Sequence, residues 1–155
     1  MVKDVVEVRH STTDTYNTII GDDPFDSVEG GEVYIKIDKL KYAFGRAFSV
    51  GVASEDFDDF NVQLGKDNKS WRFDLNGGDV KHDGLTYYFP FEEIDLVGAV
   101  VGTKYLPANY TLQFIVNGKV IAQVQDSWFG KNTFYPAFSF YYAGDTVEIQ
   151  DLDPN

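Results

Sequence analysis

The chain has 155 residues, 43% of them hydrophobic and 16% aromatic, a length and composition typical of one folded domain. Twenty-five Asp and Glu residues against 13 Lys and Arg residues give a formal net charge of −12, which argues against nucleic acid and anionic membranes as partners. Cysteine is absent, so disulfide frameworks, thiolate zinc sites and cysteine nucleophiles are excluded.

The sequence shows neither a membrane-spanning segment nor a signal peptide. The longest aliphatic stretch, 96–102, is far shorter than the roughly 20 apolar residues of a spanning helix. The first residues lack the apolar core of a signal peptide. We therefore expect an intracellular protein, cytoplasmic or nuclear, or a domain excised from a larger one, with residues 1–150 forming one domain and 151–155 a short acidic tail.

Alternating apolar and polar residues, rich in β-branched and aromatic side chains, recur along the chain in short runs. They predict strands at 5–9, 16–20, 33–38, 47–52, 70–75, 85–89, 96–101, 111–116, 119–125, 134–141 and 146–149. Between two of these runs, Asn117-Gly118 favours a two-residue type I′ turn, since both residues must accept positive φ. About eleven short strands joined by tight turns predict an all-β sandwich or barrel.

The chain offers little for catalysis or metal binding. His10 lies in a polar stretch and His82 in a His-Asp-Gly turn, so we predict packing or turn roles for both rather than a catalytic triad. Carboxylates cluster in two places, at Asp22, Asp23 and Asp26 and at Glu55, Asp56, Asp58 and Asp59. We predict that these are solvated acidic loops, because they lack the glycine that turns a calcium-binding loop. A calcium site and a glycosidase pair of carboxylates are the alternatives. We predict no cofactor.

Some aromatic side chains have no obvious inward role. Phe57 and Phe60 lie in the acidic loop, and the runs 87–89 and 140–142 cannot point entirely inward because neighbours on a strand face opposite sides. By contrast, Trp71 alternates with polar residues and is predicted to be buried. Exposed Tyr and Phe side chains near loops often anchor binding partners.

The order of segments resembles a SPRY domain over residues 30–149. The resemblance is carried by 31–37, by the valine-glycine-valine strand 48–53, by Ser70-Trp71 with the later His82-Asp83-Gly84 turn, by 95–98, by 111–119 ending in Asn-Gly-Lys, by Tyr135-Pro136-Ala137, and by Gly144-Asp145 before the last strand. Departures are Arg72, where a small residue is usual, the run 103–108 in place of an acidic turn, and the aromatic-rich stretch 84–93.

The resemblance implies a bent two-sheet antiparallel β-sandwich of the SPRY or concanavalin-like jelly-roll type that binds proteins and is not an enzyme. In SPRY adaptors that hold peptides, the aromatic residue eleven positions before the strand tryptophan lines the site, a position matched here by Phe60. The residues before the penultimate glycine also contribute and match Tyr141, Tyr142 and Ala143 beside Gly144. Contacts from the first loop would fall near 21–25.

These inferences predict a non-catalytic adaptor module, monomeric as an isolated domain, that binds a short peptide. Its partner-binding residues are predicted to be Phe60, Tyr141, Tyr142, Ala143 and Gly144, with a rim of Asp56, Asp58 and Asp59. An acidic rim predicts a partner with basic or polar flanks. A lectin-like carbohydrate-binding sandwich is the alternative, because the architecture alone does not separate the two functions.

Overall fold

The computed structural model describes residues 2–10, 16–58, 63–92 and 94–152, and these form twelve strands and two short helices. The strands are β1 (Val2–His10), β2 (Asn17–Ile20), β3 (Gly31–Lys39), β4 (Ser49–Ser54), β5 (Ser70–Asp74), β6 (Asp79–His82), β7 (Leu85–Tyr88), β8 (Val100–Leu106), β9 (Thr111–Val116), β10 (Lys119–Gln125), β11 (Phe134–Phe140) and β12 (Thr146–Leu152). A 3₁₀ turn (Pro107–Asn109) follows β8, and a four-residue helix α1 (Trp128–Lys131) follows β10.

The strands form two antiparallel sheets of six strands each. The first sheet has the order β1-β12-β3-β8-β9-β10, and the second has the order β2-β11-β4-β5-β6-β7. A large cluster of buried aromatic and aliphatic side chains from strands of both sheets forms the main core. The predicted all-β, two-sheet antiparallel sandwich is therefore confirmed.

Alternation along the strands decides which side chains enter that core. Val50 and Val52 of β4 and Trp71 and Phe73 of β5 belong to the main cluster and are fully buried. Gly51 lies between the two valines, and a Cβ there would collide with the carbonyl oxygen of Trp71 on the neighbouring strand. The valine-glycine-valine sequence thus combines a buried face with a close approach of two backbones.

The outer face of the second sheet is covered by the chain between β4 and β5. Phe57 and Leu64 from this connection pack on Ala53 and Ala137 in a second, smaller cluster. Polar contacts hold the connection in place: the Leu64 backbone N–H donates to Ser139 Oγ (3.3 Å), the Gly65 N–H to Ser70 Oγ (2.7 Å), and an Arg72 guanidinium N–H to the Leu64 carbonyl (2.7 Å). We call residues 63–69 the covering segment.

The Asn117-Gly118 turn is confirmed, with φ of 50° and 81°. The predicted strand at 96–101 is wrong in its bounds, because Gly98 turns the chain at φ 85° and β8 begins only at Val100. β8 instead includes 103–106, which lie outside every predicted strand. β6 is also absent from the predicted strands, because Val80 is its only apolar residue. β12 continues to Leu152, past the predicted start of the tail.

Among the described residues, neither helix approaches the length and apolar character that crossing a membrane requires.

Candidate interaction surface

Three loops meet at one end of the second sheet. β11 ends at Phe140 and leads directly into Tyr141 and Tyr142, while Tyr16 immediately precedes β2. The register pairs Phe140 with Asn17, so Tyr16 and Tyr141 emerge side by side. The third loop, residues 40–48 between β3 and β4, approaches because Lys39 pairs with Thr146 on β12.

Four tyrosines from these loops contact one another through their ring edges. Ring centroids are 5.0 Å apart for Tyr16 and Tyr141, 5.1 Å for Tyr141 and Tyr142, and 4.7 Å for Tyr42 and Tyr142. Tyr42 is 39% exposed and the other three are half-buried. We call this set the tyrosine cluster. Edge-to-face contacts of this kind stabilise ring orientation while leaving part of each ring open to a partner.

Two cations lie on the faces of the tyrosine cluster. The Arg46 guanidinium carbon is 5.1 Å from the Tyr42 centroid and 6.0 Å from that of Tyr142. The Lys41 ammonium nitrogen is 5.8 Å and 5.4 Å from the same two centroids. Both side chains are exposed. These are cation–π distances, so the rings hold two positive charges at the surface.

A buried carboxylate fixes the loop that carries these cations. Asp145, which is 1% exposed, accepts a hydrogen bond of 2.9 Å from the backbone N–H of Lys41 through Oδ1. Since Asp145 directly follows Gly144, this bond ties the loop after β3 to the turn after β11. Gly144 has φ of 90°, which an L side chain rarely adopts, so this turn favours glycine at that position.

A shallow groove of about 250 Å³ adjoins the tyrosine cluster at Tyr16. Phe48, Gln63 and Asp74 also line it. The floor is ordered by hydrogen bonds, because Asp74 Oδ1 accepts from Ser49 Oγ (3.0 Å) and from Arg72 Nε (2.9 Å). Partial burial raises the pKa of the Tyr16 phenol, and the positive charge of Arg72 opposes that rise. The phenol therefore stays neutral and can act as a hydrogen-bond donor.

The predicted partner-binding residues lie partly at the tyrosine cluster and partly outside the described residues. Tyr141 and Tyr142 lie in the tyrosine cluster, and Ala143 and Gly144 follow them as exposed residues. Phe60 and Asp59 fall outside the described residues. The adjacent loop aromatic, Phe57, is only 7% exposed and packs in the small cluster below the covering segment, so it is not an exposed anchor.

The acidic rim predicted for this surface lies elsewhere as far as its described members are concerned. The chain leaves β4 at Ser54, which pairs with Phe134 at the start of β11, whereas Tyr141 follows the end of that strand. Seven residues at about 3.3 Å each separate these ends by roughly 20 Å. Asp58 instead lies 3.6 Å from the ammonium of Lys69. Asp56 and Asp58 therefore lie nearer the start of β11 than the tyrosine cluster at its end, and their part in a binding surface stays a prediction.

The first loop, 21–25, also runs along the start of β11. The Gly21 N–H donates to the Pro136 carbonyl (2.9 Å) and the Phe25 N–H to that of Phe134 (3.0 Å). Phe25 is buried against Phe134 and Tyr105. The first-loop contacts suggested by the resemblance are therefore at the far end of β11 from the tyrosine cluster.

His82 has a packing role, as predicted. Its ring stacks on Trp71 with centroids 3.9 Å apart and planes within 3°, and Nδ1 donates to the Ser70 carbonyl at 2.8 Å. Trp71 is fully buried, which confirms the sequence prediction. Within the described ranges, no group of three or more His, Asp or Glu side chains is arranged to hold a metal ion.

Tyr16, Lys41, Tyr42 and Arg46 were not singled out from the sequence. The run 40–48 contains Tyr42 and Phe44 between Lys41 and Arg46 and has no strand alternation, a composition that could have marked it as a surface loop. Tyr16 was read as the first residue of a strand, and its place in the cluster depends on pairing across the sheet.

The fold and the tyrosine cluster define a β-sandwich that presents aromatic side chains on loops, a common arrangement for recognition. The family model described as the SPRY domain matches residues 32–151, and the chain belongs to the SPRY domain family. SPRY domains are generally protein-interaction modules and are not known as enzymes.

Three solved structures illustrate the similarity of fold. A human SPRY domain has 14% identity and a TM-score of 0.71, with 96% of this chain and 93% of that chain covered. The SPRY domain of human HERC1 has 18% identity and a TM-score of 0.72, with 96% of this chain and 90% of that chain covered. The TRIM65 PSpry domain has 11% identity and a TM-score of 0.65, with 87% of this chain and 71% of that chain covered. A search of curated proteins finds no match.

Proposed function

We propose that this SPRY domain binds a short segment of a partner protein on the tyrosine cluster and the turn formed by Tyr141, Tyr142, Ala143 and Gly144. The observation that carries the proposal is the contact of four partly open tyrosine rings contributed by three separate loops. Rigid aromatic side chains supply a large contact area at a small entropic cost, which is why few of them dominate most interfaces.

The scaffold below the cluster supports this role. Phe140, one residue before Tyr141, is fully buried and stacks on Phe48 at 5.9 Å. The Asp145 contact holds the Lys41 backbone from the other side. A surface fixed in this way loses little conformational freedom when a partner binds, and that favours affinity. Polar flanks on the partner fit the groove beside Tyr16, whose floor carries the Asp74 carboxylate.

The test is selection of 12-residue peptides from a display library on the purified domain, followed by affinity measurements with single variants. Tyr141→Ala and Tyr142→Ala should each weaken binding of the selected peptides about 30-fold, since an anchor contributes about 2 kcal/mol. Phe60→Ala belongs in the same series on the strength of the family resemblance. Tyr88→Ala is the matched control, because Tyr88 is 79% exposed on β7, at the far edge of the second sheet.

Circular dichroism and thermal unfolding establish that each variant is folded. Selected peptides that bind Tyr141→Ala and Tyr142→Ala within threefold of the parent would locate the binding surface elsewhere, and failure to select any peptide would refute peptide recognition. A parallel glycan array tests the carbohydrate alternative. Sugar binding abolished by the same tyrosine variants would favour that function instead.

A further inference from the structure

Two exposed cations lie on the tyrosine cluster of a protein whose overall charge is negative. The chain carries a formal net charge of −12, yet the exposed charges that lie on the cluster are Lys41 and Arg46. In the part of the chain that the structure describes, Lys69, Arg72 and Lys104 have carboxylate partners within 4.0 Å, whereas Lys41 and Arg46 have none. The Asp145 carboxylate contacts the backbone of Lys41 and is buried.

The rings concentrate these two charges in one place. Both cations lie close to the Tyr42 centroid, at 5.8 Å for Lys41 and 5.1 Å for Arg46. They are therefore at most about 11 Å apart, close to the Debye length of roughly 8–10 Å, and they repel each other. A negatively charged group placed between them would relieve that repulsion. The Arg46 guanidinium offers a carboxylate two parallel N–H donors.

From this arrangement we infer that Lys41 and Arg46 select a partner segment carrying Asp or Glu next to the residue that contacts the tyrosine cluster. The inference rests on the proposed function, because it names the charge class of the same partner. Basic flanks, predicted from the acidic loop, would instead meet two positive charges. Attraction to an acidic segment acts over about one Debye length, so the net charge of the rest of the domain weakens it little.

The same distance dependence excludes extended polyanions from the proposal. Nucleic acid or an anionic membrane would bring many charges close to the acidic remainder of the surface and be repelled. A short peptide with one or two carboxylates can place them beside Lys41 and Arg46 without approaching most of the acidic surface. The occupant that fits is therefore an acidic peptide segment of a partner protein.

The experiment compares two doubly charge-reversed proteins with the parent. Lys41→Glu combined with Arg46→Glu reverses the local pair, and Lys66→Glu combined with Lys131→Glu changes the net charge equally. Lys131 precedes the far end of β11, and Lys66 lines a separate groove with Lys81 and Leu85. Peptides selected on the parent should be enriched in Asp and Glu, and they should bind the local reversal at least tenfold more weakly and the control within threefold.

Two further readouts belong to the same experiment. Raising the salt concentration should weaken binding to the parent, and selection on the local reversal should yield peptides enriched in Lys and Arg. If the reversed protein does not fold, the double variant Lys41→Gln and Arg46→Gln removes both positive charges without introducing negative ones. The selected peptides should bind this variant at least threefold more weakly than they bind the parent.

The outcomes separate this inference from the proposed function. Peptides that lose affinity with Tyr142→Ala but bind the local reversal within threefold would overturn acidic selectivity and leave the tyrosine surface in place. Selected peptides that are not enriched in Asp or Glu would also overturn acidic selectivity and leave the tyrosine surface in place. If neither the tyrosine variants nor the charge reversal weakens binding, the proposed function and this inference fall together.

Discussion

Trp71 is the side chain whose removal should damage the sandwich most. It is fully buried and stacks on His82 at 3.9 Å, and Phe129 and Trp128 lie 5.0 Å and 6.1 Å away between ring centroids. These aromatic neighbours thus come from β6 and from α1. Trp71→Ala removes the indole from a site enclosed by aromatic rings, which cannot collapse fully into the space.

The magnitude follows from the buried area. A tryptophan buries about 150–250 Å², which at about 25 cal/mol per Å² corresponds to roughly 4–6 kcal/mol. The remaining methyl group recovers about 1 kcal/mol, so a destabilisation of about 3–5 kcal/mol is expected, in the range of other core aromatic-to-alanine changes. Since domains are stable by about 5–15 kcal/mol, this is a large share of the total.

Urea unfolding followed by far-ultraviolet circular dichroism measures the effect. Tyr88→Ala is the matched control and should cost less than about 0.5 kcal/mol, because that ring is 79% exposed. Trp71→Phe should cost much less than Trp71→Ala, since Trp71 Nε1 is buried without a hydrogen-bond partner among the described residues and its loss breaks no bond. In a Trp128→Phe background, Trp71 should fluoresce at short wavelength. A cost below about 1.5 kcal/mol for Trp71→Ala, or a red, water-exposed emission maximum, would refute this account of the core.

Two further predictions concern the other sheet and the covering segment. Burial, reinforced by the Glu32 carboxylate, raises the pKa of Tyr34 from 10.0 to about 12. The unfolded chain therefore releases this proton first, and stability should fall as pH rises from 10 towards 12. Tyr34→Phe should reduce that fall in urea unfolding, whereas Tyr88→Phe, at a 79% exposed residue, should leave it unchanged. Arg72→Met removes the bonds to Asp74 (2.9 Å) and to the Leu64 carbonyl (2.7 Å), so it should cost about 2–3 kcal/mol and accelerate proteolysis within 63–69. Lys66→Met is its control, and equal cleavage rates in the two variants would show that Arg72 does not hold the covering segment.

Local signals in the sequence account for much of the fold. The Asn117-Gly118 turn could be predicted because its conformation is determined by the two residues themselves. Trp71 could be predicted as buried because alternation with polar neighbours assigns it to one face of a strand. The bounds of β8 could not be predicted from the sequence, because the run 96–101 is apolar on both sides of the Gly98 turn and shows no strand periodicity.

Which side chains are exposed at the surface depends on contacts between residues that are distant in the sequence. Phe57 looks like an exposed loop aromatic in the sequence, yet it is buried because the connection after β4 packs on the outer face of its own sheet. Arg72 departs from the family pattern, and the reason appears only with the Leu64 carbonyl beside it. Neither contact is encoded by spacing along the chain, because each joins residues brought together by the path of a loop.

The sign of the charge at the tyrosine cluster is the clearest case of this dependence. Carboxylates are the majority in the sequence, so the nearest charged residues along the chain suggested an acidic rim. Strand direction sends Asp56 and Asp58 to the start of β11, while the pairing of Lys39 with Thr146 and the bond from the Lys41 N–H to Asp145 bring Lys41 and Arg46 to its end. Because a charge at the surface acts over about one Debye length, we expect partner selection to depend on these two residues more than on the remaining net charge. An acidic domain can therefore recognise an acidic segment, provided that the partner contacts it at this end of the sandwich.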